Sequence, residues 1–153
     1  MTMRYVRNFL LFLVMASCSQ AQTTLAPKVP SGYLYPVEPG IPGKKVYICG
    51  ERPFNANGDL IGAGNLTAQT RQIFENMKTA LATVNMDLTN VNQITYSVKT
   101  GSDIVAVPVA QAQTIQAVEA AYLSTPPKIT ETKAVTQTVR DDVLIEIEVI
   151  AIK

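Results

Sequence analysis

The sequence predicts an α+β domain in which two helices cover one face of a mixed β-sheet. Three observations carry this expectation. Apolar stripes recur at helical spacing over 67–85 and 109–123, β-branched runs with period two flank them, and the closing strand has one wholly apolar parity. The chain has 153 residues, which is room for one domain once a cleavable N-terminus of about 15–30 residues is set aside. With 47% hydrophobic and 16% charged residues it reads as a globular body with a core, not as a disordered chain.

The first 21 residues read as an export signal, with Arg4 and Arg7 ahead of the short apolar run Phe9–Ala16. That run is too short to span a bilayer, which takes about 20 residues of helix. Two endings fit. Met15-Ala16-Ser17-Cys18 resembles a bacterial lipobox with Cys18 as the lipidated first residue, and Ser19-Gln20-Ala21 fits an ordinary signal-peptidase site before Gln22. The lipobox is favoured, because a cysteine directly behind an apolar run and two small residues has no other evident purpose. Either ending places the protein in the bacterial periplasm or cell envelope. Lipidation would make it an outer-membrane lipoprotein, touching the membrane only through Cys18.

Residues 22–31 read as a tether and 32–153 as the domain, since 22–43 hold five of the nine prolines. Gly32–Val37 can include a short edge strand, where proline is tolerated. Lys45–Gly50 is a β-branched and aromatic strand, and Cys49 in it reads as a small buried residue at a strand end. Asn55–Asp59 is a turn-rich cluster. Thr67 is a plausible N-cap for a helix to about Asn85, with Ile73, Met77, Leu81 and Val84 on its inner stripe and Arg71, Gln72, Glu75 and Lys78 facing water. Ile94–Lys99 alternates as a half-buried strand. A second helix, Val109–Leu123, turns Ala112, Ile115, Val118 and Tyr122 inward and ends before Pro126-Pro127.

Two strands close the chain, 129–139 and 143–152, joined as a hairpin through Arg140-Asp141-Asp142. In the last one Val143, Ile145, Ile147, Val149 and Ala151 share one parity and must meet the helices. The other parity mixes Glu146 and Glu148 with Leu144, Ile150 and Ile152, so it is either solvated or a subunit interface.

Composition also excludes chemistry. The sequence has no histidine, which removes His-based triads and His-based zinc sites. Two cysteines without a C-x-x-C spacing exclude a Cys-only zinc site. Without Arg4 and Arg7, eleven basic residues face twelve acidic ones, a net charge of −1 that does not attract nucleic acid.

Three local patterns lead further. Val46-Tyr47-Ile48-Cys49-Gly50-Glu51-Arg52-Pro53 ends an apolar strand in Cys-Gly-Glu-x-Pro; residues 68–78 run Gln69, Asn76, Lys78 along a helix; and residues 143–151 read Val-Leu-Ile-Glu-Ile-Glu-Val-Ile-Ala. In this order and spacing the chain resembles the reactive intermediate deaminase (Rid, or YjgF) family over residues 32–153. The resemblance implies a chorismate-mutase-like fold, a homotrimer, and small-molecule clefts between subunits. It further implies hydrolysis of enamines and imines to 2-oxo acids without cofactor or metal, with Glu148 positioning the water. Cys49 falls where the family has serine, and Tyr35, or Tyr33 in a shifted register, falls near the family's N-terminal tyrosine.

The family's substrate-binding arginine has no counterpart. Counting back from Glu146 puts Glu131 there, with Lys133 two residues on; anchoring on Pro127 puts Ile129 there instead. Glu131 and Lys133 share a strand face, where a rim salt bridge competes with Lys133 as a point-charge anchor. Arg52 and Arg140 are further candidates for the anchor, although Arg52 is assigned first to the turn after its strand and Arg140 to the terminal hairpin. The expected function is an exported Rid-like trimer holding an unidentified small ligand, its deaminase activity in doubt. A non-catalytic envelope binding or structural module is the alternative, and ribonuclease activity is disfavoured by charge, few aromatics and export.

Overall fold

The computed structural model of the protein describes residues 33–37 and 45–153. The export segment with Cys18 and the 22–31 tether lie outside the described residues, as do the side chains of Tyr33 and Tyr35. The elements are β1 (Tyr33–Val37), β2 (Lys45–Glu51), α1 (Leu66–Ala82), β3 (Val91–Lys99), α2 (Val109–Tyr122), β4 (Ile129–Val135) and β5 (Ile145–Ile152), with one 3-10 turn at Leu88–Asn90. They form a five-stranded sheet in the order β1-β2-β5-β3-β4. Every pairing is antiparallel except β3 with β4.

The predicted α+β class therefore stands, and the core sits where the periodicity placed it. Ile145, Ile147, Val149 and Ala151 of β5 are essentially inaccessible, as are Val46 and Ile48 of β2 and Ile94, Tyr96 and Val98 of β3. Against them α1 lays Ile73, Phe74, Met77, Ala80 and Leu81, and α2 contributes Ile115 and Val118. Phe74 stacks on Tyr122 with ring centroids 4.9 Å apart, which joins the two helices.

Four expectations need correction. The N-cap of α1 is Asn65, whose side chain accepts from the Ala68 N–H at 3.0 Å, and not Thr67. The fourth strand stops at Val135, because the following residues turn away and Val139 N–H reaches Glu146 Oε1 at 3.0 Å. The last strand starts at Ile145, two residues late, although Val143 is buried. The last two strands are no hairpin: β3 lies between them, and β4 returns parallel to β3 through the α2 crossover.

Gln69 binds these parts together. Fully buried in α1, it donates through Nε2 to the carbonyls of Gly62 at 3.1 Å and Asp142 at 2.8 Å, and its Oε1 accepts from Leu144 N–H at 2.7 Å. One side chain thus satisfies backbone groups of two loops and holds the loop before β5 over the sheet.

Candidate functional site

A β-bulge decides which side chains meet at the site. In the β2–β5 ladder Ile48 pairs with Val149 but Glu51 pairs with Ile147, so β2 carries one extra residue around Cys49-Gly50. Gly50 takes φ +68°, a conformation that favours glycine. The bulge reverses the alternation of the strand. Glu51, which parity would send outward, turns inward and is wholly buried, while Arg52 turns out onto the face that the helices leave bare.

Below the bulge Asn76 anchors both residues. Its amide nitrogen donates to Glu51 Oε1 at 3.1 Å, to the Arg52 carbonyl at 2.9 Å and to the Phe54 carbonyl at 2.9 Å. Gln72 in turn donates to Asn76 Oδ1 at 2.8 Å, which fixes the amide's orientation. Above the bulge Arg52 Nε meets Glu146 Oε1 at 3.3 Å, with the arginine side chain 26% and the glutamate 20% exposed.

On the bare face two rows run across the strands. Glu148 of β5, Thr95 of β3 and Glu131 of β4 are in register, and Glu146, Ser97 and Lys133 form the next row. A cavity of about 190 Å³ opens beside the first row, lined by Tyr47, Cys49, Gln93, Thr95, Glu148 and Ile150 with the backbone of their neighbours. Thr95 is only 5% exposed although it belongs to this outer face, in the middle of the row between Glu148 and Glu131.

The structure thus brings Cys49 and Glu148 into one cavity. Cys49 is exposed rather than buried, since it sits on the outer parity just before the bulge. Glu131 and Lys133 stand one strand beyond the cavity and pair at 3.4 Å, each about half exposed, which is the rim salt bridge weighed above. At such exposure the pair contributes at most about 1 kcal/mol. The backbone of Tyr35 pairs with Tyr47, which lines the same cavity. Arg140 pairs with Asp142 in the loop before β5 and lies over the Phe54 ring. Arg52 follows the end of β2 at Glu51, as expected, and its side chain reaches Glu146; Gln93 and Thr95 were not singled out from the sequence. The one signal for the outward turn of Arg52 was Gly50, whose conformation marks the bulge. Among the described residues no group of three potential metal ligands gathers, and no helix is long and apolar enough to cross a membrane.

With five strands, two helices on one face and a cavity on the other, the molecule has the architecture of the YjgF and Rid structures. The chain belongs to this family, whose sequence model, described as Endoribonuclease L-PSP, matches residues 24–153. It is similar to RidA from an Antarctic Psychrobacter, with a TM-score of 0.65 and 25% identity over 85% of this chain and 98% of that one. A putative endoribonuclease of Thermotoga maritima gives the same score and identity over 84% of this chain and 94% of its own. A conserved Rid-family protein of Yersinia pestis gives 0.62 and 29%, over 84% and 92%.

Proposed function

We propose that the protein is an exported Rid-type trimer whose bare sheet faces build small-molecule clefts between subunits, and that it hydrolyses imines far more slowly than arginine-bearing relatives. The observation that carries this reading is the cavity that unites Cys49 with Glu148 while a carboxylate, Glu131, stands in register with Glu148 across Thr95. A water held by Glu148 has room there. The anionic substrate of an imine hydrolase, however, meets a like charge at position 131, and Lys133 beside it is already paired. A point charge also lacks the planar fork that matches a carboxylate. No cofactor or metal enters the proposed reaction, and the near-neutral charge supports a small ligand over nucleic acid. The Met15–Cys18 lipobox supports export.

A coupled assay that generates 2-iminobutanoate tests the reading. Wild type is expected at or near the uncatalysed rate, and Glu131→Arg is expected to raise hydrolysis about tenfold or more, the value of a charge-assisted pair. The double variant Glu131→Arg, Glu148→Gln should lose that gain. Robust wild-type turnover that Glu148→Gln leaves intact would overturn the assignment.

A further inference from the structure

We infer that the loop between β3 and α2 is a membrane-contact element, and that its apolar tip rests in the interface of the bilayer to which Cys18 would tether the chain. This rests on the export and lipobox reading above and is independent of the cleft.

Four observations converge on it. First, residues 104–110 read Ile-Val-Ala-Val-Pro-Val-Ala, seven positions without a polar side chain between Asp103 and Gln111. By composition such a run belongs in a core, yet only Val107 is half-buried, packed against the core, and the other six residues are exposed. Val105 is 97% exposed, Val109 73% and Ile104 44%. Apolar residues scattered singly over a surface are ordinary, whereas a contiguous patch marks a place that another apolar surface covers.

Second, the tip is presented in a fixed geometry. Ile104 N–H donates to the Gly101 carbonyl at 3.0 Å, and Thr100 Oγ1 donates to the Ile104 carbonyl at 3.2 Å. The Pro108 carbonyl accepts from the N–H groups of Gln111 and Ala112, each at 3.0 Å, where α2 begins. With Val107 seated on the core between these points, little ordering remains when the loop meets a partner.

Third, the loop leaves the sheet at the end where the tether arrives. β1 and β5 begin at this end and β2, β3 and β4 finish there: Tyr33 pairs with Cys49 near the end of β2, and Val98 with Ile145 at the start of β5. Among the described residues the large apolar side chains that stand exposed are Ile104, Val105, Val109, Ile129 and Val139. All but Ile129 belong to this end, Val139 in the loop before β5. Residues 19–32 separate Cys18 from Tyr33 and reach about 50 Å at most. A lipid on Cys18 therefore keeps this end close to the bilayer and supplies by proximity the strength that a few aliphatic side chains lack alone. A cyclic trimer would set its three loops at one height, so that all three meet the same surface.

Fourth, the charges nearby assign the kind of contact. Arg52, Lys99 and Arg140 are each paired, with Glu146, Asp141 and Asp142, and the residue that opens the apolar run, Asp103, is acidic. The attachment is accordingly hydrophobic and does not draw on anionic headgroups.

The sequence holds no tryptophan, so a single introduced indole reports its own surroundings. Val105→Trp and, as the reference at the opposite end, Ile129→Trp are made in the full chain and purified as exported. Each is mixed with vesicles of phosphatidylethanolamine and phosphatidylglycerol, with and without brominated acyl chains, and mass spectrometry of the same sample reports whether Cys18 carries lipid. On vesicles the Val105→Trp emission is expected to shift to the blue and to be quenched by the brominated chains, while Ile129→Trp shows neither effect. Adding Ile104→Ser and Val109→Ser should lower that quenching by about half or more, and salt at about 0.5 M should leave it unchanged. A lipidated, vesicle-bound chain whose Val105→Trp emission stays as in buffer would overturn the inference and leave the anchor standing. Equal quenching in the two variants, or quenching that salt abolishes, would overturn it as well. A blue shift that needs no vesicles and grows with protein concentration would show that a second copy covers the loop instead. Quenching in a chain that begins unmodified at Gln22 would keep the loop and remove the anchor, and an unlipidated chain that ignores vesicles would overturn both.

Discussion

Tyr96 fills the centre of the core, and its hydroxyl is buried facing the Glu119 carboxylate. Burial pushes its proton affinity far above the usual tyrosine range, and the Glu119 carboxylate nearby pushes the same way. The unfolded chain gives up this proton near the ordinary value of about 10, whereas the folded chain keeps it. Above that pH the unfolded state binds fewer protons than the native one, so stability falls as pH rises; below it the contribution is complete. Urea melts of wild type and Tyr96→Phe between about pH 8 and 11 should show the variant losing less stability with pH, by up to about 1.4 kcal/mol per unit. At neutral pH the tyrosine is protonated in both states, so the variant should lie within about 1 kcal/mol of wild type, the worth of the hydroxyl's contact with Glu119. Equal pH dependence in the two proteins would overturn the assignment to Tyr96.

At the scale of elements, two glycines before α1 separate conformational freedom from packing. Gly62 has φ +72°, and a Cβ there would lie 2.5 Å from the Ala68 Cβ at the start of the helix; Gly58 has φ +89° and open space around it. Gly62→Ala should therefore cost about 2 kcal/mol or more, and Gly58→Ala about 1 kcal/mol, in chemical denaturation. Equal losses would show that the contact with Ala68 relaxes freely. The same contrast explains what could be read from the residues alone. The stripe Ile73, Met77, Leu81 and the alternation Ile145, Ile147, Val149, Ala151 report burial directly, because each period has one meaning in its element. The bulge at Cys49-Gly50 breaks that rule by a single residue, so every parity beyond it inverts, and the burial of Glu51 and the outward turn of Arg52 could not be read from alternation. The order of β4 and β5 was misread as a hairpin for a related reason: a short connection with two acidic residues invites one, while the parallel pairing with β3 depends on contacts distant in sequence. Asn65 and Thr67, two positions apart, are both residues that cap well, and chemistry alone does not separate them.

For the whole molecule the bare face is the open question of assembly. Ile150 and Ile152 lie on it half-buried beside Tyr47 and the exposed Glu148, an amphipathic surface that assembly through this face would cover. Under the proposed arrangement, light scattering at micromolar concentration should give three times the monomer mass, and Ile150→Glu should reduce it to one while leaving the helical circular dichroism unchanged. A wild-type monomer would remove the intersubunit cleft, although not the cavity within each chain. The strand that carries Ile150 has one more consequence. Because β5 lies between β2 and β3 and follows both in sequence, its place in the middle of the sheet stays vacant until residues 145–152 have been made. Until then both flanking strands and both helices exist without the strand that joins them, so closure of the sheet waits on β5. Loss of the strand Ile145–Ile152 would remove the centre of the sheet instead of an edge, leaving β2 and β3 unjoined rather than a shortened domain.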